Sequence, residues 1–129
     1  MKKMTLLCLF FITCGVYAQS QNQSVLQKSL KPWKPVSITE SGRVVTIALD
    51  ENSVTSEIYE LVVESGICAP LWSGSQKSGY LSGVKEVQVL NKHSFAGFVF
   101  ENPESSCKEV GEAKGDSGKI VIASHTHIH

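Results

Sequence analysis

An excess of charge of either sign is missing from this chain: twelve Lys and Arg face twelve Asp and Glu over 129 residues. Nucleic-acid binding draws on a basic face that displaces counterions, so that class of function has no support here. Long apolar runs are scarce as well. The one run of note, Leu6 to Val16, falls well short of the roughly 20 residues that span a bilayer. Aromatic residues make up only 8% of the chain, and its four cysteines are too few for a disulfide-dense scaffold.

What is present begins with an export pattern. Lys2 and Lys3 form a basic n-region, Leu6 to Val16 an apolar h-region, and Val16-Tyr17-Ala18 fits the small-x-small cleavage rule. Residues 1–18 are therefore expected to be a signal peptide, with the mature chain beginning at Gln19. A retained anchor and lipidation at Cys14 are the weaker readings, because Thr13 and Phe11 suit a lipoprotein signal poorly. The mature chain would have 129 − 18 = 111 residues, enough for one domain. Its charge would be ten basic against twelve acidic residues, or 10 − 12 = −2, since Lys2 and Lys3 leave with the signal. Cys8 and Cys14 leave too. Cys68 and Cys107 remain, and two cysteines in an exported protein point to one disulfide.

Residues 19–35 read as a polar lead and an arm flanked by prolines. Gln19 to Ser24 looks disordered, Asn22-Gln23-Ser24 matches a glycosylation sequon, and Val25 to Leu30 suits a single helical turn stopped by Pro32 and Pro35. Trp33, between those prolines, is expected to dock the arm. Residues 36–129 read as a single α+β domain. Val36 to Thr39 and Arg43 to Leu49 form a hairpin about Glu40-Ser41-Gly42. The period then changes: Val54, Ile58, Leu61, Val62 and Ser65 make a helical stripe, capped by Asn52 or Ser53 and ended by Gly66. Residues 71–83 read as a long Gly/Ser-rich loop. Strands follow at Val84 to Leu90 and Phe95 to Glu101, then a turn-rich Asn102 to Gly118, then a last strand from Lys119 to Ile128. The expected architecture is one amphipathic helix packed on a mostly antiparallel four- or five-stranded sheet, in the order ββαβββ.

Catalytic patterns are thin. Gly115-Asp116-Ser117-Gly118 resembles the tetrapeptide around the nucleophile of trypsin-like proteases over four residues and no further. The serine lacks the histidine and aspartate context a triad needs, so the stretch reads as a turn before a strand. Gly118-Lys119 suggests a phosphate-binding loop, but Ala113 and Ile120 stand where Gly and Ser or Thr are required. An enzyme is not expected.

Two segments remain as candidate sites. In a strand, His125, His127 and His129 would share one face, which suggests weak binding of zinc or copper. The 71–83 loop sets Trp72 and Tyr80 around Lys77, and Trp and Tyr are the residues most enriched at interface hot spots. The expectation is a small periplasmic or secreted binding protein, catalytically silent. It would act on a partner macromolecule, as an inhibitor or immunity-type protein does, through Trp72, Lys77 and Tyr80. A metal-binding accessory protein and a structural envelope domain are the alternatives.

Overall fold

The fold comes from a computed structural model, and the structure describes residues 20–74 and 79–129. The signal-peptide expectation therefore lies outside the described residues. No described helix is long and apolar enough to cross a membrane.

The chain is α+β, with helices on one face of a five-stranded mixed sheet of order β1-β2-β3-β4-β5. Helix α1 (Gln21–Ser29) begins on a capping box. The Ser20 hydroxyl accepts from the Gln23 backbone N–H while the Gln23 side chain accepts from the Ser20 N–H. Asn22, Val25, Leu26 and Leu30 turn inward, so the stretch expected to be a disordered lead is a core helix. Asn22 itself is only 7% exposed, and its side-chain amide donates to Glu40. In the folded domain the sequon asparagine is thus closed to a glycan. A 3-10 turn (Lys31–Trp33) follows, and Trp33 packs against the core as expected.

Strands β1 (Ser37–Ser41) and β2 (Val44–Ala48) form the expected antiparallel hairpin. The helix after them starts at Thr55, whose hydroxyl accepts from the Ile58 N–H, and not at Asn52 or Ser53. It also runs past Gly66: α2 (Ser56–Leu61), a π-helical stretch (Val62–Cys68) and α3 (Ala69–Trp72) form one continuous helix over residues 56–72. Gly66 lies inside this helix because α1 crosses there. A Cβ at position 66 would run into the Leu30 side chain, and the Ser29 hydroxyl donates to the Gly66 carbonyl at 2.7 Å.

Strand β3 (Glu86–Leu90) pairs parallel with β2 and antiparallel with β4 (Gly97–Glu101). The other three pairs are antiparallel, so the sheet is mostly antiparallel as expected, and the cause of the one parallel pair is the helix between β2 and β3. A crossover of that length returns the chain to run in the same direction, whereas a tight turn would reverse it. Residues 102–118 are not a run of turns. Helix α4 (Pro103–Glu112) occupies most of them, and Pro103, Ser106, Cys107 and Val110 face inward at helical spacing. Nor is the last segment a continuous strand. It forms α5 (Ser117–Ser124) and then a short β5 (Thr126–Ile128) that pairs antiparallel with β4. The order is therefore ββαββααβ after α1, in place of ββαβββ.

One core joins these elements. Val45, Ile47, Val87, Val89 and Phe100 on the sheet meet Leu26, Tyr59, Val62, Ile67 and Ile122 from the helices. The Cys68–Cys107 disulfide, with Cα atoms 5.1 Å apart, is buried within that core and ties the long helix to α4.

Candidate functional site

A groove lies where the end of α3 meets α4 and the α4–α5 turn. It encloses about 600 Å³ and is lined by Glu64, Trp72, Lys108, Val110, Gly111 and Glu112, among others. Trp72 forms one wall and is 42% exposed. Its position follows from the local sequence. Cys68, one helical turn earlier, is bonded to Cys107 of α4, so the two helix backbones run side by side. The indole N–H then donates to the Cys107 carbonyl at 2.7 Å. Glycine at 111 allows this approach, since a Cβ there would lie 2.7 Å from the indole nitrogen. The indole is fixed on one side and open to solvent on the other.

Glu64, Glu112 and Lys108 line the groove together with this aromatic wall, as do Val110 and Ala113. A fixed indole edged by mixed charge is suited to holding an apolar group of a ligand while polar groups set its orientation.

Of the residues expected to bind a partner, Trp72 lies in this groove. Lys77 lies outside the described residues. Tyr80 is a correction: it is 1% exposed, and its hydroxyl donates to the Ile67 carbonyl at 2.7 Å, so it is a core residue. Burial pushes the Tyr80 phenol well above its ordinary value. The same cause acts on Tyr59, with a hydrogen bond between its hydroxyl and Thr126 opposing it and the nearby Glu101 charge adding to it.

Of the three histidines expected to share one face of a strand, His125 leaves the row. His125 sits at the C-cap of α5, and its Nε2 meets Glu109 on α4 at 2.7 Å. His127 lies on β5, with Nδ1 2.7 Å from Glu101. Among the described residues, no group of three or more His, Cys, Asp or Glu side chains is placed to hold a metal ion. Ser117 of the Gly-Asp-Ser-Gly stretch opens α5 with Asp116 as its N-cap, so the turn precedes a helix and not a strand.

Sequence reasoning missed Lys108, Gly111 and Glu112, because it missed α4. The signal was present in Pro103, which suits the first turn of a helix, followed by Glu104 and an inward stripe at 103, 106, 107 and 110. No family model matches this chain, and no curated protein or solved structure matches it either.

Proposed function

We propose that the protein is a small exported binding protein that recognises a partner macromolecule, without catalysis, through the Trp72 groove. The observation that carries this reading is the half-exposed Trp72 indole, anchored on Cys107 and Gly111 in the groove between α3 and α4. Exposed large aromatics are unfavourable to leave in water, and tryptophan is the side chain most enriched at binding hot spots. Export draws support from the basic and apolar pattern of residues 1–18 and from the disulfide, which persists in oxidising compartments. The inhibitor or immunity-type role fits a rigid, stapled recognition surface, and the partner's identity belongs to experiment.

Site-specific photo-crosslinking in envelope extract and culture fluid tests the proposal. A photoreactive residue at Ala113, in the groove, should trap a discrete partner that the same group at Thr39 does not. Trp72→Ala in the first variant should abolish the product while the protein keeps its fold. Identical products from both positions, or none from the groove, would sink the reading.

A further inference from the structure

The β5 edge of the sheet lies apart from the Trp72 groove. Backbone bonds run from the Glu101 N–H to the His125 carbonyl at 2.8 Å and from the His129 N–H to the Gly97 carbonyl at 3.1 Å. On β5 the odd-numbered residues thus bond inward to β4, and alternation turns the backbone groups of Thr126 and Ile128 toward the open edge. The opposite edge of the sheet is treated differently. There the Gln23 side chain donates to the Ile38 carbonyl of β1, and α1 covers the strand. Among the described residues, nothing comparable caps β5.

The side chains alternate as well. Thr126 points to the helical layer, where its hydroxyl bonds Tyr59 and the Ile122 carbonyl. His127 therefore projects from the opposite face, in register with Val99, and its side chain is half exposed. Two residues on, His129 continues that face. A carboxylate oxygen only accepts, so the 2.7 Å contact of Nδ1 with Glu101 fixes the proton of the neutral ring on Nδ1. Nε2 is left with its lone pair, unbonded among the described residues. This is the arrangement in which a carboxylate behind a histidine presents the other nitrogen to a metal.

One chain does not complete a site. Two chains do. We propose that a divalent transition metal, zinc or copper, joins two copies of this chain by bridging their His127 side chains across paired β5 edges. With a two-fold axis at His127, Thr126 of each copy pairs with Ile128 of the other through the free edge groups. His127 of each copy then forms the non-hydrogen-bonded cross-strand pair, with Cα atoms about 4.5 Å apart and side chains on one face. Two imidazoles so placed reach one ion at metal–nitrogen distances of about 2.0–2.1 Å, and His129 or water fills the remaining positions. His125 stays outside, committed to Glu109.

Titration of the metal-free mature protein with zinc chloride or copper chloride, followed by light scattering and elemental analysis, tests this. The expected result is a doubling of mass at one metal per two chains, reversed by chelator. His127→Ala and His127→Gln should both abolish it, and His125→Ala should not. Glu101→Gln positions the imidazole less well, so metal affinity should fall about 10–100-fold while the melting temperature of the metal-free protein stays unchanged. Ile128→Pro removes an edge N–H and should prevent the doubling. No metal binding, one metal on each monomer, or a dimer indifferent to chelator would each overturn the proposal.

Discussion

The Asn22 amide is occupied at both ends. Its oxygen accepts the buried Leu81 N–H at 2.8 Å, and its nitrogen donates to Glu40 at 3.1 Å. Glu40 is also bonded by the Ser20 hydroxyl, so the start of α1, strand β1 and the segment after residue 79 meet at one side chain. Asn22→Ala would leave the Leu81 N–H without a partner in a position closed to water, and such a loss costs about 1–3 kcal/mol. The expected outcome is a lower urea midpoint with an unchanged slope; a midpoint equal to the wild type would show that this junction is dispensable. Gly111 makes a parallel case on the other side of the molecule. A methyl group there must displace the Trp72 indole from α4, breaking its bond to Cys107. Gly111→Ala should cost about 1–3 kcal/mol through overpacking and shift Trp72 emission toward that of a solvated indole. A Trp72→Phe background, leaving Trp33 alone to report, should show no such shift.

At the scale of elements, the helix over 56–72 explains both what the sequence shows and what it hides. Its first half carries the apolar stripe at three- and four-residue spacing and is legible for that reason. Its second half passes through Gly66 and Pro70, two residues that ordinarily end helices. The helix continues because other elements serve its backbone: Ser29 donates to Gly66, Tyr80 donates to Ile67, and the wide π turn accommodates the donor that Pro70 lacks. None of those partners is near in sequence, so local patterns place a stop where tertiary contacts remove one. Strands β2 and β3 are legible from alternation, since Val45 and Ile47 on one and Val87 and Val89 on the other are buried between less buried neighbours. Helix α5 is not. Ile120, Val121 and Ile122 favour a strand by propensity, yet docking of Ile122 into the core decides for helix and leaves Ile120 72% exposed. The candidate site was legible at Trp72 and at the cysteines, whose residue types carry their own chemistry. It was hidden at Tyr80, where burial depends on a fold the pattern could not supply. Tyr80→Phe should therefore act as a stability mutation, losing about 1–2 kcal/mol by leaving the Ile67 carbonyl less well bonded. Crosslinking through the Trp72 groove should be unaffected by it, and a loss of crosslinking at constant stability would return Tyr80 to the binding surface.

For the whole molecule, the covalent tie and the buried phenols are the two features that a bulk measurement reads directly. The disulfide joins residues 39 apart, and the loop-closure entropy it removes from the unfolded chain amounts to about 4 kcal/mol. The tyrosines set the alkaline limit. Burial is the main reason both Tyr59 and Tyr80 are harder to ionise in the folded protein than in the unfolded chain. Their folded pKa is raised, so the unfolded chain loses its phenolic protons first. The contribution of these two phenols to stability is thus constant below the ordinary tyrosine value of about 10 and falls as pH rises above it, because the unfolded state binds fewer protons there. In a chain that begins at Gln19, Tyr17 is gone and these are the only two phenols of the three in the full sequence. The phenolate absorbance of the mature protein should therefore stay absent through about pH 10–11 and then appear together with loss of circular dichroism, as one unfolding event. Reducing the disulfide should move that event to lower pH, since less stability remains to be overcome. A phenolate signal that rises near pH 10 while the fold persists would show that one of the two tyrosines reaches water, and would contradict the burial from which the argument starts.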